Sequence, residues 1–349
     1  MRSERTDRRC KGSAAAAIHR KAQTISSLDY IASFRSALRH VLQRVPNVRA
    51  AVTAGAPLER LPGEVEPPHL LDAEVIEDAT VRSRVVPGTP EPGFAAFLDG
   101  TQESQVVAWV GPAPIVYGTV AAVVRRRLHR RLTTWGAPVV ARRIYAPLAY
   151  APREALAESF AGALVDTARP ADDGSLPPPH PILLLERAKF AVSRDREDVE
   201  RQLGERWCAT EHAPLMIDGG VGGSDIIARA PCAVGVVKSH RTLYVSGAAL
   251  DAVLALRPGE RSSVIRIAPR DRSSVHSWYL RLRDVAGHDA LWGLVRVEVA
   301  ASEGDVTARA DQVSRWVLAE AAPLALPDPR WDKMAYGVRN CEEFLKAVM

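Results

Sequence analysis

With 349 residues, 47% of them hydrophobic and 25% charged, the chain can bury a sizeable core as one large domain with appendages or as two domains. No apolar run approaches the roughly 18 residues of a membrane span, Ala14–Ile18 is too short for a secretory core, and the four cysteines (Cys10, Cys208, Cys232, Cys341) have neither zinc-site nor disulfide-framework spacing. A cytoplasmic protein with no membrane attachment is expected, and its formal charge of +5 is confined to residues 1–21, where Arg2, Arg5, Arg8, Arg9, Lys11, Arg20 and Lys21 outnumber Glu4 and Asp7.

Residues 1–24 read as a basic, disordered tail able to touch nucleic acid electrostatically. From Ser27 to Val45, Leu28, Ile31, Phe34, Leu38 and Leu42 recur at helical spacing behind Ser26 or Ser27 as N-cap, which predicts an amphipathic helix. The proline-rich stretch 46–93 reads as an irregular arm, so 25–90 form an N-terminal helix and arm and 91–349 the main domain. Three short strands are predicted next, Phe94–Leu98 ending in Asp99-Gly100, then Gln105–Val110 and Ile115–Val124, as an antiparallel meander. A helix over Arg153–Thr167 precedes a polar break at Pro170–Pro181, and a longer helix runs from Leu185 to Trp207. The strand Pro214–Ile217 ends in Asp218-Gly219-Gly220, and Ala233–Val237 leads into Lys238-Ser239-His240-Arg241. A short helix near Ala248–Leu256, strands at Val264–Ile267, Ser277–Leu282 and Leu291–Val299, and helices at Val306–Ala321 and Val338–Val348 complete a mixed-sheet α/β pattern without a repeat.

Two apolar strands therefore each end in Asp-Gly. Asp-Gly is also a common turn dipeptide, but ligands gather beyond strand ends in α/β sheets, where a carboxylate can leave the core and still be held rigidly. If the strands are neighbours, Asp99 and Asp218 face one another. At about 4 Å and an effective dielectric near 20 such charges repel by about 4 kcal/mol, which favours a shared proton or a bound cation. Oxygen donors suit Mg²⁺ or Mn²⁺, ions that activate water against a phosphodiester. A third ligand is sought on the long helix, where Ala188, Val192, Val199, Leu203 and Trp207 form the buried stripe. Glu200 falls roughly 75° from its centre and Glu197 and Glu205 more than roughly 120°, leaving Asp195 as the competitor on the other flank. Gly219, Gly220, Gly222 and Gly223 match no complete phosphate-loop pattern.

Leu98-Asp99-Gly100, Glu200 and Met216-Ile217-Asp218-Gly219, followed by Val234-Gly-Val-Val-Lys238-Ser239-His240, resemble in order and spacing the NurA nuclease family. Ser277-Trp-Tyr-Leu-Arg281 and Val295-Arg-Val-Glu298-Val look like its later strands, so the likeness spans about residues 91–349. The resemblance implies an RNase H-like fold, Mn²⁺-dependent (or Mg²⁺-dependent) DNA cleavage with Asp99, Glu200 and Asp218 as catalytic and metal residues, a homodimer, and a HerA-type hexameric ATPase as partner. The family's histidine near the C-terminal end of the site is missing, since no histidine follows His288; Asp328, Asp332 or Glu298 would replace it as outer ligand. Lys238, His240, Arg241 and Arg281 are the expected nucleic-acid contacts, with Trp278 and Tyr279 available to stack on a single strand. The N-terminal amphipathic helix would serve the dimer or dock the ATPase. The alternative is a catalytically weak DNA-binding or ATPase-docking module on the same fold.

Overall fold

The computed structural model describes residues 27–46, 48–50, 67–170, 174–268, 273–302, 304–321, 333 and 335–349; the basic tail and the candidate outer ligands Asp328 and Asp332 lie outside them. Helix α1 (Ser27–Arg44) is followed by four short strands, β1 (Val48–Ala50), β2 (His69–Leu70), β3 (Glu74–Val75) and β4 (Ser83–Val85). Then β5 (Ala96–Val110) and β6 (Ala113–Leu128) form a long antiparallel hairpin, to which β7 (Arg131–Thr134) and β8 (Val139–Ala146) add along β6.

Here the fold departs from the sequence pattern. The two strands expected on either side of Asp99-Gly100 are one, with Asp99 opposite Val123 and Gly100 opposite Ala122 in a ladder whose register shifts only between Val106 and Ala108. The reason is the partner strand, whose buried run Ile115–Val124 keeps the ladder closed, so the chain reverses only at Gly111, where φ is +54°. The helix expected over 153–167 also stops early. α2 (Arg153–Ser159) ends against the buried Phe160, Gly162 turns the chain at φ +78°, and β9 (Leu164–Asp166) pairs in parallel with β8.

Helix α3 (Pro181–Thr210) is longer than its periodicity predicts, because Pro181 is tolerated in the first turn, where the missing N–H costs nothing. It is followed by β10 (Leu215–Asp218), α4 (Asp225–Ala228), β11 (Ala233–Val237), β12 (Thr242–Leu243) and α5 (Gly247–Leu254). The remaining elements are β13 (Glu260–Ser262), β14 (Ile265–Ile267), β15 (Val275–Arg281), β16 (Leu294–Ala300), α6 (Val306–Glu320) and α7 (Tyr336–Val348).

One large mixed sheet runs in the order β3-β14-β15-β16-β11-β10-β5-β6-β8-β9. At its middle β5, β10 and β11 are parallel neighbours, flanked by antiparallel partners on each side. Helices cover both faces. On one, Val192, Val199, Leu203 and Trp207 of α3 bury against Leu98, Val120 and Ile217. On the other, Val313 and Val317 of α6 and Val338 and Leu345 of α7 bury with Phe97, Met216, Val236 and Trp278. A third core joins Val41 of α1 to Ile115, Ile144, Leu156 and Phe160, with Phe34 and Leu38 packed at its edge. From Phe34 to Leu42 the apolar residues of α1 thus pack on its own chain and need no external surface there; the side chains of Leu28 and Ile31 lie outside those described. Strands β3 and β4 pair with β14 and β13, so residues 74–85 of the expected irregular arm form part of the sheet's far edge, while β2 pairs with β12 in a separate two-stranded sheet. Among the described residues no helix is long and apolar enough to cross a membrane.

Candidate functional site

The parallel register places Ile217 of β10 beside Leu98 of β5, and one residue further on Asp218 stands beside Asp99. Neighbouring strands are about 4.8 Å apart and side chains at matched register share a face. That face is the one covered by α7, because Phe97, two residues before Asp99, lies under that helix and its carbonyl accepts a hydrogen bond from Cys341 Sγ at 3.4 Å. Val234 and Val236 of β11 point the same way, and so does Lys238 at the end of the strand. Its ammonium reaches back 2.8 Å to Asp218 Oδ2.

Asp99 is only 6% exposed. One carboxylate oxygen accepts the N–H of Gly100 at 2.8 Å, and the other is buried with no hydrogen-bond partner. Burial first, and the charge of Asp218 second, raise its pKa well above the ordinary carboxylate range, with Lys238 pulling the other way.

Glu200 approaches from the opposite side. Its carboxylate lies directly over Gly100, where any side chain on the strand would overlap it. Because residues alternate along β5, Gly100 opens toward α3 while Asp99 points toward α7. Glu200 is ion-paired to Arg196 one turn earlier, and Gln102 Oε1 steadies that arginine through its Nε at 3.2 Å. Burial still outweighs the arginine and raises the Glu200 pKa to about 7. Glu200 and Asp218 line a common cleft of about 610 Å³ with Arg194, Arg201, Arg296 and Glu298. The cleft's floor is the loop Gly219–Gly223, tied down where Glu298 Oε2 accepts the N–H of Val221 at 2.9 Å. The other oxygen of Glu298 takes Arg296 at 2.7 Å, so Glu298 anchors the loop instead of standing open as an outer ligand.

The expected nucleic-acid contacts divide. Lys238 lies at the carboxylates, and Arg241 is exposed at the strand end. His240 is not available to a phosphate: its Nε2 contacts the Leu294 carbonyl at 2.7 Å, and burial lowers its pKa to about 4, leaving it uncharged at neutral pH. Arg281 is fully buried and donates to the carbonyls of Leu254, Leu256, Ala290 and Trp292, so it staples loops together and cannot touch DNA. Trp278 and Tyr279 are likewise core residues, not stacking platforms. Asp195, the competitor of Glu200, is bound by Arg143 at 2.8 Å and by the Tyr145 hydroxyl at 2.7 Å, away from the aspartates.

Sequence reasoning missed Arg196, although its spacing four residues before Glu200 is the ordinary signal of a helical ion pair. It also missed Glu342 on α7, whose charge acts on Asp99 from the aspartates' own face. Among the described residues, no group of three or more His, Cys, Asp or Glu is arranged to hold a metal ion as it stands. Two features account for that: Glu200 and Asp99 occupy opposite faces, and Lys238 and Arg196 already engage two of the three carboxylates. No protein-family profile matches the chain, and no curated protein matches it either.

Proposed function

We propose that the protein is a divalent-metal-dependent nuclease that hydrolyses DNA phosphodiester bonds at Asp99 and Asp218. One observation carries this reading: a nine-tenths-buried carboxylate with an unbonded oxygen stands beside a second carboxylate on the neighbouring parallel strand. A buried carboxyl with an unbonded oxygen beside a second carboxylate is costly to ionise, and such a group persists where a ligand offsets that cost. The donor set is all oxygen and carries excess negative charge, which fits a hard cation. Asp99 and Asp218 would hold Mn²⁺ or Mg²⁺; Glu200, on the sheet's other face, would act from the cleft side and not as a ligand shared with Asp99. The ion, when bound, supplies Lewis acidity and a lowered pKa for attacking water.

The chain's own residues do the rest. Glu200, with a pKa near 7, can take up or release a proton at neutral pH. Arg194 lines the cleft and would balance phosphate charge, whereas Arg201 and Arg296 in the same lining are already paired with Asp198, Glu205 and Glu298. A meander running into parallel crossover strands supports an RNase H-like reading of the sheet, and the resemblance to NurA nucleases extends it to DNA as substrate, a homodimer, and a HerA-type ATPase as partner. The test is end-labelled single- and double-stranded DNA incubated in EDTA, Mg²⁺ and Mn²⁺. Cleavage by wild type in a metal, abolished in Asp99→Asn and in Asp218→Asn without additivity, is the expected result. In EDTA, Asp99→Asn should also melt higher than wild type, because the amide is buried without a charge. Turnover near normal in either variant would exclude the two-aspartate site.

The ion pairs of Lys238 and Arg196 favour a second reading, a DNA-binding or ATPase-docking module whose carboxylates are neutralised internally. DNA binding by wild type with no cleavage in either metal would select it.

A further inference from the structure

Lys238 is the residue through which the two readings can be separated. Its Nζ sits 2.8 Å from Asp218 Oδ2, and both side chains are about four-fifths buried, with relative exposures of 21% and 23%. It lies on the α7 face, the face of Asp99, and its charge acts on Asp99 as well. Its strand, β11, is hydrogen-bonded to β10 with Asp218 opposite Val236, so the lysine comes from a rigid neighbour rather than from a loose loop. The ammonium bonds Asp218 alone; Asp99 feels its charge without a hydrogen bond, its buried Oδ2 having no partner.

We infer that Lys238 is a built-in competitor for the divalent ion: its ammonium holds the Asp218 carboxylate oxygen that a cation would need, and it must swing out before the ion is held. The inference rests on the metal-binding reading above. It assigns Lys238 a role that a phosphate-contacting lysine would not have. A phosphate contact would leave metal affinity untouched by its removal and would weaken DNA binding. A competing cation does the reverse at the metal. Its loss frees the Asp218 carboxylate, and its four-carbon stem is long enough to carry the charge off that oxygen when displaced.

Titration of the full-length protein with Mn²⁺ alone, followed by calorimetry or by the electron paramagnetic resonance of free Mn²⁺, reads this directly. Lys238→Met should bind Mn²⁺ about five- to tenfold more tightly than wild type, the scale of one partly screened charge contact. Lys238→Arg, which keeps the charge, should stay near wild type, and Asp218→Asn should lose saturable binding. In EDTA, Lys238→Met should melt below wild type, and Mn²⁺ should restore it; a purely structural lysine would lower melting equally with and without the ion. Saturable binding by wild type with unchanged affinity in Lys238→Met overturns the competitor role and leaves the metal reading standing. Binding only in Lys238→Met supports the role in its strongest form. No saturable binding in either protein overturns both.

Discussion

A carboxylic acid and an imidazole held away from water near the same strand ends pull the stability of the protein in opposite directions as pH changes. Glu200 has its pKa raised to about 7 by burial, against an ordinary 4.5. Between those values the unfolded chain ionises it and the folded chain does not, so stability is full below the lower value and is lost as pH rises through the upper one. His240 is the converse, lowered from 6.5 to about 4. Its unfolded form takes up a proton that the fold refuses, so stability is lost as pH falls through that window. Each effect is worth at most about 3 kcal/mol, and the two nearly cancel in the wild type. The variants should separate them. Relative to wild type in EDTA, Glu200→Gln should gain stability from pH 4.5 to 7, whereas His240→Asn should gain it from pH 6.5 down to 4. Denaturant midpoints across that range check this, with the slope and not the offset as readout; parallel slopes for the two variants would refute the burial argument. At this scale the aspartates were legible, because an apolar run followed by Asp-Gly is a local signal. The fates of His240 and Arg281 were not, since what neutralises or surrounds them comes from residues 254–256 and 290–294, remote in sequence.

At the scale of elements, Arg281 shows how a charged side chain can be structural. Lying on β15, it reaches the end of α5 at Leu254 and Leu256 and the turn at Ala290 and Trp292 that precedes β16. Four carbonyls share one guanidinium, a geometry suited to its planar fork. Arg281→Met should therefore cost about 3 kcal/mol of stability while leaving DNA affinity of the folded protein unchanged. Thermal melts and a binding isotherm together check the pair of outcomes, and a loss of affinity without a loss of stability would return Arg281 to the nucleic-acid surface. Helices α1, α3, α5, α6 and α7 and the strands β10 and β11 were readable from apolar periodicity, whereas the short α4 was not and α2 was read too long. The β5 strand was not, because the polar stretch Thr101–Ser104 looks like a loop until β6 is laid beside it. Strand β8 was hidden by Arg142 and Arg143 interrupting its apolar run, one of which turns out to bind Asp195.

Across the whole molecule, α1 is part of the fabric. Val41 is fully buried in a core shared with β5, β6, β8 and α2. Removing residues 1–45 should uncover Val107, Ile115, Ile144 and Phe160 together, lowering the melting temperature and promoting aggregation. Calorimetry with light scattering tests this; a truncated protein as stable and as monodisperse as the full chain would show that α1 is dispensable. The sheet order carries a consequence for how the molecule is made. Asp99 and Asp218 are more than a hundred residues apart in sequence and meet only when β10 slots between β5 and β11. Such long-range parallel pairing closes late, after the local hairpins β5–β6 and β15–β16 can already have formed. On the ribosome, the first aspartate therefore waits in an antiparallel hairpin with its edge unpaired. Asp218 and its lysine, separated by 20 residues, then emerge in one short segment. The second negative charge reaches the sheet together with its own neutraliser, so the nascent chain never has to close two bare carboxylates on each other.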